Sequence, residues 1–284
     1  MSRSVSGNAS APFVRTPPGE SASRRRRVWY TVIVGALGLY AGLPWLAPAF
    51  MKLGWESPAR IIYLGYSTQC HQLANRSYFL FGQQWMVSPD GLEAAGADPS
   101  MLGLRAFLGS PEIGWKVAWS DRMVSMYTSA FLFLLMAPLS VRLRRPLPLG
   151  VFLLMILPLA VDGTTHFLSD LQGFGQGFRD TNAWLVTLTA SRLPAWFYSG
   201  DAWGSFNASA RLVTGILFGV GAAWTLVPRL LPDLEGIAPS APSPNIPKKG
   251  PTRAPDIRPT IGDPVQPART DAAPKPLRGG THGN

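Results

Sequence analysis

The side chains of this chain that could do chemistry fall into four short groups. In the first, Cys70 and His71 are adjacent within Gln69-Cys70-His71-Gln72, and Asn75-Arg76-Ser77 follows. A thiol beside an imidazole can act as a soft metal-binding pair, or as a nucleophile beside the base that lowers its pKa. The plainer alternative is a small buried thiol next to a hydrogen-bonded histidine. The second group is Glu112, Lys116, Trp119-Ser120-Asp121-Arg122 and Tyr127, whose charges would anchor the start of a helix. The third is Asp162-Gly163-Thr164-Thr165-His166. A continuous helix places Asp162 and His166 on one face, where carboxylate and imidazole could hold a divalent cation or relay protons. The fourth is Ser205-Phe206-Asn207 with Arg211, a cation that could pair with Asp162. Cys70 is the only cysteine. That excludes a disulfide within the chain, a Cys-rich zinc module and an iron–sulfur cluster held by one copy.

The elements that must position these groups are apolar. Of 284 residues 46% are hydrophobic and only 15% charged, against about 25% charged in a soluble domain. A membrane helix needs about 20 mostly apolar residues. Uncharged blocks run over 28–50, 123–141 and 212–228, the last extended by Leu230 and Leu231. A fourth, 147–161, ends at Asp162 after 15 residues. It is either short or continues to 167 and carries Asp162 into the bilayer. The expected fold is all-α: an integral membrane four-helix bundle with spans at about 28–50, 123–141, 147–167 and 212–231. The first block could instead be a signal peptide with Ala47-Pro48-Ala49 as cleavage site, but it exceeds the about 7–15 residues of an h-region.

Charge orients the bundle. Residues 1–27 hold six Arg and one Glu, and the turn Arg142-Leu143-Arg144-Arg145 holds three Arg and no acid. From Arg229 onward there are eight Lys/Arg and five Asp/Glu. Residues 51–122 carry six charges of each sign, and 162–211 carry three Arg and four Asp. The net charge of +10 thus sits on one side of the expected membrane. By the positive-inside rule both termini are cytoplasmic, and the loops 51–122 and 168–211 are extracytoplasmic in a multi-pass cell-membrane protein. The basic balance is a topology signal, and no nucleic-acid partner is expected. The partner implied is the lipid bilayer. Self-association through the small-residue pairs Gly38/Gly42 or Gly215/Gly219 competes with packing inside the chain.

Residues 1–27 read as a disordered basic N-terminus, and 232–284 as a disordered Pro-rich tail with 12 of the 27 prolines and no aromatic residue. The two outer loops differ: they hold seven of the ten tryptophans. They are expected to fold as a cap of short helices over the bundle. One such helix is expected over 58–73, with Tyr63, Ser67, Cys70 and Ala74 on one face and Ile61, Leu64, Thr68 and His71 on another.

Three stretches resemble the DUF2085 family of membrane proteins. Cys70-His71-Gln72-Leu73-Ala74-Asn75-Arg76-Ser77, followed by Tyr78-Phe79, is similar to its C-H-x-x-x-x-R-S signature. Ala160-Val161-Asp162-Gly163-Thr164-Thr165 resembles its A-x-D-G-x-T element, and Arg211-Leu212-Val213-Thr214-Gly215 its L-R-x-x-T-G element. Together they tie residues 60–230 to the family. Many members carry C-x-R-C-T-G-x-Y between the first two elements. Here Arg122 and Tyr127 match, but Ser120 and Met123 stand at the cysteine positions. A zinc-like site would have to be completed from Cys70, His71, Asp162 and His166, so Ser120 and Met123 count against a divalent metal, and the cofactor stays unassigned. The resemblance implies no activity.

The reading that follows is a scaffold or accessory subunit of a larger membrane complex. Its Cys-His, Asp and Arg residues, with Arg76, Ser77, Ser120, Arg122, Tyr127 and Arg211 as structural or substrate-contacting side chains, cluster at the outer face. One alternative is a metal- or thiol-dependent membrane enzyme, with Cys70 and His71 as ligands or as nucleophile and base, and Asp162 and His166 in support. Another is a small transporter or proton path through Asp162.

Overall fold

A computed structural model describes residues 18–237 except residue 174. The expected disordered segments lie largely outside these residues. The described chain is mostly helical, with four helices long and apolar enough to cross a membrane. The first, α1 (Pro18–Lys52), starts ten residues before position 28. Its first turns therefore take up the arginine run 24–27, which the sequence pattern assigns to a tail. After α1 come α2 (Glu56–Ser67), a 3-10 turn at Ala74–Arg76, β1 (Ser77–Leu80), α3 (Pro89–Ala94), α4 (Met101–Ala106), β2 (Gly109–Ser110) and β3 (Gly114–Ser120). The second long helix is α5 (Asp121–Met136), and the third is α6 (Leu149–Asp170). Then α7 (Phe178–Thr181), α8 (Ala183–Leu188) and α9 (Ala195–Tyr198) lead into α10 (Phe206–Ile237).

The purely helical expectation is corrected in the segment between α1 and α5. Three antiparallel strands form there in the order β1-β3-β2, with Ser77 opposite Ser120 and Phe79 opposite Lys116. The β1–β3 pairing joins residues some forty positions apart, which helical periodicity cannot signal. The helix expected over 58–73 is α2, and it stops at Ser67. Tyr63 is buried and Ile61 and Leu64 are exposed, so the expected faces hold within the helix. Cys70 and Ala74 lie beyond it.

In the bundle, α10 packs on α5 and α6, and α1 packs on α5 and α10. The block at 147–161 resolves in favour of the longer alternative: α6 is continuous past Gly163 to Asp170. Its polarity is inverted relative to a soluble helix. Asp162, His166 and Ser169 are its buried residues, while Leu153, Leu154 and Leu157 are exposed. A helix that turns carboxylate and imidazole inward and leucine outward is built for lipid surroundings. Beside the sheet, Trp119 is wholly buried. It stacks on Tyr127 at a centroid distance of 4.6 Å and meets Tyr40 and Tyr66 edge-on at 5.1 and 5.0 Å. This aromatic knot joins α1, α2, β3 and α5.

Gly215 and Gly219 lie in the contact between α10 and α5. A β-carbon on Gly215 would sit 1.9 Å from Ser125 Oγ, and one on Gly219 2.0 Å from the Met126 carbonyl oxygen. These glycines therefore serve packing inside the chain. Gly38 abuts the Phe131 ring, whereas nothing lies within 4 Å of a β-carbon on Gly42.

Candidate functional site

Four arginines and four aspartates interlock at the end of the bundle where α5 and α10 begin and α6 ends. Arg76 ends the Ala74–Arg76 turn and reaches two carboxylates. Its Nη1 and Nη2 donate to Asp170 at 2.7 Å each, and its Nε donates to Asp201 Oδ2 at 2.9 Å. Asp201 also accepts from Arg211, whose Nε donates to Asp121 Oδ2 at 2.7 Å. Asp121 opens α5, and its other oxygen accepts the Arg122 backbone N–H at 2.7 Å. A carboxylate suits that position because a helix N-terminus presents free N–H groups. Arg122 Nη2 donates to Asp162 Oδ2 and Arg179 Nη2 to Asp162 Oδ1, both at 2.7 Å. Residues from the 51–122 segment are thus clamped to residues of 162–211, and both to the helices. Charge-assisted guanidinium–carboxylate hydrogen bonds are about twice as strong as neutral ones.

Formal charge in the network cancels, four against four. Burial alone would raise the Asp201 carboxyl, but the guanidinium groups of Arg211 and Arg76 outweigh it and hold it well below the usual carboxylate range. The same pairing holds Arg76 above its ordinary value despite burial. Nearby, burial pushes the Tyr78 hydroxyl up to about 12. Beneath Arg179 lies a neutral polar layer. Asn182 and Asn207 both donate to the Arg179 carbonyl, at 2.7 and 2.8 Å, and Asn182 also donates to Asn207 Oδ1 at 3.2 Å. Asn182 takes a left-handed backbone at φ 44°, which its short polar side chain tolerates.

His166 completes the cluster. Its Nε2 lies 3.0 Å from Arg179 Nη2 and 3.6 Å from Asp162 Oδ1. A guanidinium only donates, so Nε2 accepts and the ring proton sits on Nδ1. That nitrogen is buried and has no hydrogen-bond partner among the described residues.

Cys70 and His71 do not join this cluster. The Cys70 sulfur is buried, donates to Ser120 Oγ at 3.3 Å, and accepts the Gln72 and Ser120 backbone N–H groups at 3.4 Å each. His71 is exposed. Just after them Gln72 takes a left-handed backbone at φ 52°, and its amide donates inward to the Tyr63 and Ala118 carbonyls at 3.0 and 2.8 Å. Among the described residues no three His, Cys, Asp or Glu side chains form a metal-binding group. The ligand set Cys70, His71, Asp162 and His166 is therefore divided between two places.

Lys116, on β3, is buried in the cap. Its Nζ donates to the carbonyls of Gln72 and Arg105 at 2.7 Å each and of Leu104 at 3.4 Å. Burial pushes this amine down to about 7, opposed by the Cys70 side chain and assisted by Arg105. Between that value and about 10.4, the unfolded chain holds a proton that the folded chain does not, so stability rises with pH across this window. The slope is expected to approach about 1.4 kcal/mol per pH unit at most. Unfolding in detergent at pH 7 through 10 checks it: the rise should vanish in Lys116→Met, and an equal slope in both proteins would refute the assignment.

The sequence pattern located Asp121, Arg122, Asp162, His166, Arg76 and Arg211. It paired Arg211 with Asp162, and this is corrected: Arg211 holds Asp121 and Asp201 instead. It missed Arg179, Asp170 and Asp201 as site residues. The signal available was the near balance of charges within an otherwise aromatic and apolar loop. Ser77 is fully buried and donates to the Leu73 carbonyl at 2.8 Å, and Tyr127 belongs to the aromatic knot.

Comparison with curated proteins and with solved structures returned no match. A family model matches residues 113–225, a stretch that contains Asp121, Arg122, Asp162, Asp170, Arg179, Asp201 and Arg211 but begins after Cys70, His71 and Arg76. Over that stretch the chain is similar to DUF2085, a family described as predicted membrane protein.

Proposed function

We propose that the protein is a membrane scaffold or accessory subunit, with both termini in the cytoplasm and the segments between α1 and α5 and between α6 and α10 on the exoplasmic face. The observation that carries this reading is the set of buried ion pairs, a chain Asp170–Arg76–Asp201–Arg211–Asp121 beside a triad Arg122–Asp162–Arg179. All four guanidinium groups meet carboxylates, and all four carboxylates meet guanidinium groups. Such an arrangement holds a cap in one position on a bundle. Catalysis by a thiol would want Cys70 hydrogen-bonded to a base, whereas its hydrogen bonds are with a serine and two backbone amides. The orientation rests on the arginines of 24–27 and 142–145 at the opposite end.

Extraction in mild detergent followed by sizing and mass spectrometry tests the role. Stoichiometric co-purification with other membrane proteins is expected, and recovery as free monomer alone would overturn it. In a Cys70→Ser background, His71→Cys should react rapidly with a membrane-impermeant maleimide on intact cells. Reaction only after permeabilisation would invert the proposed orientation.

A further inference from the structure

Between α6 and α10 the chain forms a hairpin from α8 and α9 that buries one side and leaves large apolar residues on the other. Leu185 of α8 and Tyr198 of α9 are buried. Trp184 and Leu188 are 47% and 75% exposed, and their i, i+4 spacing puts them on one face of α8. Leu193, which leads into α9, and Trp196, which lies on it, are exposed too. From Ala183 to Gly200 the one charged residue is Arg192, also exposed. The short helices α3 and α4 differ: their stretch, 89–106, carries Asp90, Glu93, Asp98 and Arg105.

The hairpin is held in shape. Ala190 and Ser191 both take a left-handed backbone, at φ 50° and 57°, a conformation unfavourable to residues with a β-carbon. Tyr198 closes this turn: its hydroxyl accepts the Leu193 N–H at 2.9 Å and pairs with Thr189 Oγ1 at 2.5 Å. The Asn182 amide donates to the Tyr198 carbonyl at 2.7 Å. Leucine and tryptophan are thus exposed by a fixed backbone, and a fixed apolar exterior marks a contact surface.

Position identifies the contact. The rings of Trp184 and Phe197 meet that of Phe206 edge-on, at 5.6 and 6.2 Å. Phe206 is the first residue of α10, a candidate span, so the hairpin lies at the depth where that span begins. At 1.5 Å per residue, the 22 residues of α6 reach about 33 Å, enough to cross a hydrocarbon core of about 30 Å. Beyond the exposed leucines of α6, the apolar exterior continues along the chain through Phe167, Leu168, Leu171 and Phe178 to Trp184, all exposed. Tryptophan is enriched at the membrane–water boundary, and helices that lie in that plane combine Trp and Leu with basic residues.

We propose that the α8–α9 hairpin is an in-plane membrane anchor. Trp184, Leu188, Leu193 and Trp196 insert at the boundary of headgroups and acyl chains in the leaflet where α10 begins, and Arg192 meets the lipid phosphates. Lipid, rather than a second copy of the chain or another protein, is the occupant because the apolar row continues the outward side of α6. The inference rests on α6 and α10 crossing a bilayer, and on neither the orientation nor the scaffold role.

Nitroxide labels on the full chain in vesicles of phosphatidylcholine and phosphatidylglycerol test it. In a Cys70→Ser background, Leu188→Cys and Trp196→Cys are compared with Glu93→Cys on α3 and Leu153→Cys on α6. All four positions are exposed, so the variants should fold. Power saturation is read with oxygen, which partitions into lipid, and with nickel–EDDA, which stays in water. At 188 and 196 the ratio of oxygen to nickel accessibility is expected to lie several-fold above that at 93 and below that at 153. A ratio equal to that at 93 would put the hairpin in water and overturn the proposal. Low access to both reagents would overturn it as well, by showing a protein contact in place of lipid. Nickel access at 153 as great as at 93 would instead overturn the membrane reading of α6, and the inference with it.

Discussion

Asp162→Asn is expected to lower the unfolding midpoint of the detergent-solubilised protein by about 10 °C. Asp162 is the carboxylate in ion-pair contact with both Arg122 and Arg179, each at 2.7 Å, and its own side chain is 5% exposed. An amide of the same shape cannot neutralise two guanidinium groups. Breaking one partner out of a buried pair costs about 3–5 kcal/mol, because the remaining charge stays buried without compensation. For a chain of this size that is about 2–4 °C per kcal/mol. Arg122→Gln should cost less, since its side chain is 23% exposed and water can replace part of the contact. Adding Arg179→Gln to Asp162→Asn should recover part of the loss, a coupling of about 0.5–3 kcal/mol. Differential scanning fluorimetry of the four proteins decides the matter. A shift of less than about 2 °C in Asp162→Asn would place the residue among ordinary surface positions and sink the structural account of the buried ion pairs.

The second large effect belongs to Gly219. An alanine there would bring its β-carbon 2.0 Å from the Met126 carbonyl oxygen and 2.3 Å from Ser129 Oγ. The serine can rotate, but the carbonyl is part of the α5 backbone and cannot yield without parting the helices. Overpacking a tight contact costs about 1–3 kcal/mol, and more when backbone must move. Gly219→Ala is therefore expected to fall at or beyond the top of that range and to accumulate poorly. Gly42→Ala meets open space and should be neutral or gain up to about 1 kcal/mol from helix propensity. The pair separates packing within the chain from packing between copies. If Gly42 instead formed a seam between copies, Gly42→Ala would weaken self-association in detergent, while a harmless Gly219→Ala would contradict the contact of α10 with α5.

Much of the architecture was legible in local pattern. Four long apolar runs have few outcomes other than membrane helices, and all four are among the candidate spans. The i, i+4 spacing of Asp162 and His166 likewise needs only a helix, and α6 supplies it. The pairing of β1 with β3 was not legible, because its partners lie some forty residues apart and β1 has only four residues. The pair Cys70-His71 was misleading for a related reason. Adjacency in sequence suggested a common site, but the Cys70 side chain is buried while that of His71 is exposed.

By itself, the order of residues determined the number of apolar helices, the concentration of positive charge in three segments, and which polar residues stand at helix ends. These properties depend on composition and on spacing within a few turns, so they survive without knowledge of the rest of the chain. Only the tertiary structure decided which arginine holds which aspartate. Arg76 meets Asp170 across 94 residues and Arg211 meets Asp121 across 90. Any of several aspartates would satisfy a guanidinium equally well in isolation. The choice among them is made by how α5, α6 and α10 pack, and that packing is set by close contacts such as the one at Gly219, where two backbones meet.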